Sequence, residues 1–556
     1  MSQVISILYQ LAEQGGGVTR VSLGRTAALS KSGLLARVAL LDYDEKLDKT
    51  FKQLVMQGRV CKTLQVLNFY KWFSYRASCL ASDKDASANL DTLVHLRVKV
   101  KRRVDHINST GLCVVRYMTE AGLIFLEEFV KPGNVVVMVM ISMPGTGPLK
   151  FNSLASAHAY WLKCLSEECL PSFLVADSIG AADSICMIER EGVFRILMMH
   201  SNHLLKPYVV GGKVAPKYDG VIRGIPSCDR LVVLTSGQMR DLQEQFPSDK
   251  YSVIGNLVTI SPDVTDVKRE ENLAVIVSRL HGIKRIKAII SVFARVVELN
   301  SAARLEIWGT GEQEEAIREH IEKLGLQEVV KLMGFATDVS VVFRRASVSL
   351  GMSATEGFGI SFAESLGYGT PLVSTKTNYG PSEIVTNGVD GYIVDSEDEF
   401  VEKVCLLLGN RELVERMGRA GRLSAERYGA KTIVNLWLEL FEFLLSSPSG
   451  RVDALLPDGP VLQNAMSSRF GWIYLSKFDG DSVRESFLRS VSRARVIDVC
   501  RDVEVFGEFI SLSTGDYEID EMIFDGERQR YKFRLMRDGK PYCGVIAGQA
   551  VKFILM

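Results

Sequence analysis

The stretch "SATEGFGISFAESLGYGTPLVST", Ser353–Thr375, decides how the rest of the chain is read. It follows an apolar run, "SVSLGMSA", with the length and β-branched character of a buried strand. Glu356 comes at the end of that strand, Gly357-Phe358-Gly359 makes a flexible loop, and "ISFAESLGYG" has the pattern of a short helix carrying Glu364. One carboxylate in the loop and one in the helix can reach different parts of a single elongated ligand. Carboxylates accept hydrogen bonds from vicinal sugar hydroxyls. Loop amides at a helix N-terminus suit a phosphate lying between. The ligand implied is a nucleotide-sugar.

Working outward, the same strand-then-helix rhythm fills most of the chain. "VISILYQL" reads as a buried strand, "GGGVTRVSLGRTAALSKSG" as a glycine-rich turn into a helix, and "ARVALLDY" as the next strand, a βαβ unit of a doubly wound sheet. Residues 95–145 break the rhythm with consecutive strands joined by glycine-containing turns, a β-meander inserted in the first α/β domain. "PSFLVADS", "FRILMMHS" and "DRLVVLTS" return to buried strands, and a second α/β block begins at "NLAVIVSRL". "GAKTIVNLWLELFEFLL" is a long amphipathic helix. Beyond the turn-rich "SSPSGRVDALLPDGP", residues alternate by twos around Asp525-Gly526 and Asp538-Gly539, the pattern of hairpins. The expected division is an N-terminal Rossmann-like domain 1–262, a C-terminal one 263–432, a crossover helix 433–450 and an accessory β-rich domain 455–556.

A chain of 556 residues is too long for one core. Its 66 Lys plus Arg against 66 Asp plus Glu argue against a protein built to coat nucleic acid. The ten cysteines are scattered without Cys-x-x-Cys spacing, which points to reduced thiols and a cytoplasmic setting. The N-terminus lacks a basic segment and a cleavage site, and "NVVVMVMISM" is too short to span a bilayer, so at most peripheral membrane association is expected.

In doubly wound sheets ligands bind beyond the carboxyl ends of the strands, and all the candidate groups fall there. Gly16 and Gly17 follow the first strand and open a helix, where bare backbone N–H groups can approach a phosphate. Arg279 and Lys284 in "SRLHGIKRI" can clamp a pyrophosphate, or can be an ordinary solvated loop. Gly309 and Gly311 in "IWGTGE", and His200 and His203 after "RILMM", end two further strands.

Taken together, "ATEGFGISFAESLGYGTPLVS", "SRLHGIKRI", "IWGTGE" and "KLMGFATDV" resemble, in order and spacing, the motifs of retaining GT-B glycosyltransferases over residues 1–445. The meander, "LMMHSNH", "VVLTSGQ" and "NYGPSEIV", which ends at Val385, resemble more narrowly the α-glycosyltransferases that decorate wall teichoic acids. The resemblance implies a GT-B fold, two Rossmann-like domains facing a cleft, and transfer of glucose or N-acetylglucosamine from a UDP-sugar to a hydroxyl of a cell-envelope polymer. It assigns Glu364 to the ribose hydroxyls, Glu356 to the donor sugar and Arg279 and Lys284 to the diphosphate. Gly17 gives an amide to the same diphosphate, and His200 or His203 stands beside the transferred sugar. Gly16, Gly309, Gly311, Gly357, Phe358 and Gly359 would complete the donor site. No Asp-x-Asp motif stands at a suitable strand end, and two cations are at hand, so neither metal nor other cofactor is expected. The expected partners are the donor and a hydroxyl-bearing polymer or glycan, without nucleic acid; self-association through the extra C-terminal region is open.

Other classes fit less well. A protein or other polysaccharide acceptor stays open on the same fold. A non-catalytic partner subunit would be marked by loss of Glu356 or of the Arg/Lys pair, and both are present. A dehydrogenase would need Gly-x-Gly-x-x-Gly after the first strand, which "EQGGGVTRVS" does not supply. In "RVKVKRRV", period two puts Arg97, Lys99, Lys101 and Arg103 on one strand face and Val98, Val100 and Val104 on the other. That basic face is either solvated or a support for an anionic polymer.

Overall fold

The computed structural model describes residues 2–11, 16–81, 98–107, 112–260 and 268–446, and the backbone of strands between 463 and 555. The chain divides into two compact units, Met1–Val434 and Asn435–Met556. The first holds two parallel sheets. The N-terminal sheet contains β1 (Gln3–Leu8), β2 (Leu35–Leu40), β3 (Gln65–Asn68), β9 (Ser172–Ala176), β10 (Val193–Met199), β11 (Arg230–Val233) and β12 (Tyr251–Val253). Its order is β12-β11-β10-β9-β1-β2-β3. Every residue of β1 is buried, as a central strand covered by helices on both faces requires.

The C-terminal sheet contains β13 (Leu273–Val277), β14 (Arg304–Trp308), β15 (Val330–Gly334), β16 (Val348–Gly351), β17 (Leu372–Thr375) and β18 (Gly391–Val394), in the order β15-β14-β13-β16-β17-β18. Both sheets are doubly wound. The order reverses between β1 and β9 in the first and between β13 and β16 in the second, and at such reversals a crevice opens beyond the strand ends.

The meander is a five-stranded antiparallel sheet of β4 (Lys101–Ile107), β5 (Leu112–Met118), β6 (Ile124–Lys131), β7 (Val135–Ile141) and β8 (Leu149–Phe151), paired in sequence order. It sits where the sequence predicts, although the strand read over "LRVKVKRRVDHI" starts only at Lys101, and Arg97 lies outside the described residues. Phe125, Leu126, Val139 and Ile141 join one core with Trp72 and Trp161 of the first α/β domain. Glu128 is buried there, taking hydrogen bonds from the Tyr70 and Tyr117 hydroxyls at 2.6 and 3.1 Å.

The long helix Ala430–Ser446 crosses the boundary between the units. In the second unit, strands Gly515–Asp525, Arg530–Arg537 and Lys540–Ala547 pair antiparallel, with Asp525 opposite Arg530 and Arg537 opposite Lys540; Gly526, Asp538 and Gly539 of the two expected turns lie outside the described residues. Among the described residues no helix is long and apolar enough to cross a membrane.

Candidate active site

The site is built from the two sheet reversals. On the C-terminal side, the loop after β13 carries Arg279 and Lys284, and the loop after β16 carries Glu356. Lys284 Nζ lies 2.5 Å from Glu356 Oε1, and the Ser353 hydroxyl donates to the same oxygen at 2.7 Å. The Glu356 backbone is fixed by Glu356 N to Asn378 O at 2.8 Å and Tyr379 N to Glu356 O at 2.7 Å. Glu356 is therefore a buried carboxylate with its counter-ion and its backbone both set within one domain. Arg279 is exposed and makes no ion pair among the described residues.

The glycines separate into two kinds. A Cβ on Gly309 would lie 1.8 Å from Ser278 O, and one on Gly311 2.4 Å from Leu280 O. These two glycines let β14's end press against the Arg279 loop, which Leu280 N to Thr310 O at 2.9 Å completes. Packing of that loop alone thus requires glycine at both positions. Gly357 passes so close to the opposite domain that a Cβ would lie 2.5 Å from His200 O. Gly359 has φ +87° and caps the helix Ile360–Gly367. By contrast, a Cβ on Gly16 or Gly17 would meet nothing within 4 Å among the described residues. Bare backbone N–H groups at the N-terminus of helix Gly17–Lys31 are what a phosphate site at that place needs.

The Phe358 side chain is not in the cleft. It is buried edge-on against Tyr428 with ring centroids 5.0 Å apart, so only its backbone remains for a ligand. The two histidines also part. His200 Nε2 lies 2.9 Å from Asp177 Oδ1, and Arg25 holds Asp177 through both of its oxygens. Burial alone would raise the Asp177 pKa, but Arg25 and His200 outweigh it and hold it at about 2. His200 is thereby anchored at the end of β10. His203 is fully buried, its ring parallel to that of Tyr379, and burial lowers its pKa to about 4. Of the two, His203 is wholly buried, and the His200 side chain keeps a small exposed edge.

Glu364 is buried in the helix Ile360–Gly367, and its partner comes from the other domain. Arg20 Nη2 lies 2.9 Å from Oε1 and 3.0 Å from Oε2. Burial raises the Glu364 pKa, and Arg20 pulls against that shift. Sequence reasoning missed Arg20, although its place one turn inside the helix opened by Gly17 was visible. It also missed three further bridges between the Rossmann-like domains. Glu383 accepts from Ser236 N at 2.9 Å and Gly237 N at 2.6 Å, capping the helix Ser236–Gln245 from across the cleft. Asn202 Nδ2 donates to Thr355 Oγ1 at 2.7 Å. The Arg59 guanidinium stands 5.7 Å from the centre of the Phe335 ring. No three His, Cys, Asp or Glu side chains cluster as metal ligands among the described residues.

Two doubly wound domains meeting through these strand ends define the GT-B class of nucleotide-sugar fold. Residues 259–424 match the family model "Glycosyl transferases group 1". The poly(ribitol-phosphate) alpha-N-acetylglucosaminyltransferase of Staphylococcus aureus (strain COL) is 21% identical over 79% of this chain and 100% of that protein. The poly(glycerol-phosphate) alpha-glucosyltransferase of Bacillus subtilis (strain 168) is 24% identical over 71% of this chain and 62% of its own length. The crystal structure of an S. aureus TarM mutant with fondaparinux, alpha-GlcNAc-glycerol and UDP superimposes with a TM-score of 0.64 at 20% identity, covering 79% of this chain and all of that one. The pneumococcal O-GlcNAc transferase GtfA, solved with UDP and GlcNAc, gives a TM-score of 0.59 at 17% identity, covering 80% and 99%.

Proposed function

We propose that the chain is a retaining glycosyltransferase that moves glucose or N-acetylglucosamine from a UDP-sugar to a hydroxyl of a polyol-phosphate polymer of the cell envelope. The observation that carries this reading is the pairing of Lys284 with Glu356 across the β13–β16 reversal, with Arg279 exposed beside it. Cations fixed at a strand end stabilise a diphosphate as it leaves, because they need no reorganisation while charge develops. Glu356 accepts hydroxyls of the donor sugar, Glu364 those of the ribose, the Gly17 amide a diphosphate oxygen, and His200 borders the transferred sugar.

In the step itself the bond from the anomeric carbon to the diphosphate oxygen breaks, and the acceptor hydroxyl oxygen bonds on the same face. The hydroxyl proton passes to a diphosphate oxygen, so no enzyme nucleophile is required. Charge neutralisation by Arg279 and Lys284 makes the reaction metal-independent in this reading. The polymer acceptor is supported by the two teichoic-acid relatives, and the reduced state of the eight described cysteines suits a cytoplasmic setting. A protein acceptor is the second reading, favoured by the likeness to GtfA.

The test is hydrolysis of a panel of UDP-sugars, followed by transfer to defined poly(glycerol-phosphate) and poly(ribitol-phosphate) chains. An α-linked product from an α-linked donor is expected. Absence of turnover with every UDP-sugar and acceptor would overturn the assignment.

A further inference from the structure

Arg20 is placed to do more than pair with Glu364. It lies one turn into the helix Gly17–Lys31, its backbone N–H donating to Gly16 O at 3.2 Å. Its guanidinium is the only partner of the buried Glu364 carboxylate among the described residues. The Arg20 side chain is 35% exposed, whereas the Glu364 side chain is 10% exposed and carried by the helix Ile360–Gly367. Arg59 is close enough to feel Arg20: burial lowers the Arg59 pKa, and repulsion from Arg20 lowers it further.

Arg20 and a ribose need the same oxygens of Glu364. A carboxylate bound to two ribose hydroxyls has its inner lone pairs filled, and the guanidinium loses its place. The ligand that supplies the ribose also brings a diphosphate. By the donor-site reading above, that diphosphate meets the Gly16–Gly17 helix N-terminus, one turn from Arg20. We propose that Arg20 is a transferable counter-charge: without nucleotide it neutralises Glu364, and with nucleotide bound it passes to the diphosphate. The exchange keeps a buried carboxylate from being left unpaired and adds a bidentate phosphate contact from the N-terminal domain. It also links nucleotide binding to the contact between the two domains, since Arg20 and Glu364 belong to different ones. This inference rests on the donor-site reading.

Titration calorimetry with UDP and with uridine separates the two roles, because uridine has the ribose but no phosphate. In Arg20→Gln the Kd for UDP should rise about tenfold, the value of one lost charge-assisted contact. The Kd for uridine should stay the same or fall, because the competitor for Glu364 is gone. Glu364→Gln gives the reverse: uridine weakens more than UDP, because Arg20 is released to the phosphates. The ratio of uridine to UDP Kd should thus fall in the first variant and rise in the second. Equal weakening of both ligands in Arg20→Gln, or an unchanged ratio in Glu364→Gln, would show a purely structural ion pair. Wild-type protein that fails to bind UDP would overturn the donor site itself, a distinct result.

Discussion

Charge is organised in opposite ways in the cleft and on the meander. In the cleft the carboxylates of Glu356, Glu364 and Asp177 are buried, and each meets a cation or histidine from a different element. On the meander, Lys99 is 76% exposed and faces Glu120 at 3.5 Å, while Arg103 reaches Asp105 at 2.7 Å on its own strand. Buried pairs cost desolvation and persist only where structure or function fixes them. Exposed pairs are screened by solvent and contribute little. The contrast locates chemistry in the cleft and leaves the meander as architecture, and it can be tested from its strongest side to its weakest.

The largest effect should come from the cations beside Glu356. Lys284→Ala and Arg279→Ala should each cost about 2–4 kcal/mol in kcat/KM, because stabilisation of the leaving diphosphate is lost. The chelator EDTA should leave wild-type turnover unchanged. Loss of activity in EDTA, restored by manganese, would move the work from these side chains to a metal.

The next effect distinguishes the two glutamates. Glu356 is held by Lys284 and Ser353 of its own domain, whereas Glu364 is held by Arg20 of the other. Glu356→Gln should lower kcat about tenfold or more with a small change in KM, since the proposed function places it beside the reacting carbon. Glu364→Gln should act mainly through KM for the donor. Identical kcat and KM patterns in the two variants would mean that the carboxylates share one role.

A third effect contrasts paired with unpaired groups in the cleft wall. His203 is buried without the kind of ion pair that His200 has with Asp177, and its pKa is lowered to about 4. The unfolded chain takes up a proton near pH 6.5, but the folded chain does so only near pH 4, so stability falls as pH drops through that window. Between pH 7 and pH 5 the loss from His203 is about 2 kcal/mol. His203→Leu should flatten that part of the urea-midpoint profile. Asp177 acts in the same sense at lower pH: its lowered pKa adds stability above about pH 4, which is lost as pH falls toward 2.

Much of this was legible in the sequence, for a physical reason. Buried parallel strands are continuous apolar runs, so "VISIL" and "LAVIV" announce themselves, and polar groups at their ends are the ones that remain to be explained. Glu356, Arg279 and Lys284 were singled out that way, and Glu364 from the helix that follows. What pairs with them across the cleft was not legible, because Arg20 and Glu364 are 344 residues apart and no local pattern encodes that distance. Glycine was the least reliable sign. Gly309 and Gly311 look like a ligand loop in sequence, but the carbonyls of Ser278 and Leu280 require them, while Gly16 and Gly17 face open space. Phe358 and His203 carried the same ambiguity, since a strand-end side chain can turn into the core as readily as into a cleft.

The smallest effect is expected on the meander. Period two does put Lys99, Lys101 and Arg103 on an exposed face, and Val100 packs against the core on the other, but Val104 is 41% exposed. The basic face is also not free. Lys101 donates to Glu120 O at 2.6 Å, and Asp105 bonds both Arg103 and Arg116, which in turn reaches Glu127 at 2.8 Å. A phosphate polymer would have to compete with those carboxylates for each cation, in a medium that screens the attraction within about 10 Å at 0.1 M salt. Replacing Lys99, Lys101 and Arg103 together by Gln should therefore change the acceptor KM by no more than about threefold. Donor hydrolysis should be unaltered, because no cleft residue is touched. A much larger rise in acceptor KM at low salt, vanishing as salt is added, would reverse the comparison. It would show that exposure and local pairing had been mistaken for idleness, and that the polymer is held on the meander while its hydroxyl reacts in the cleft.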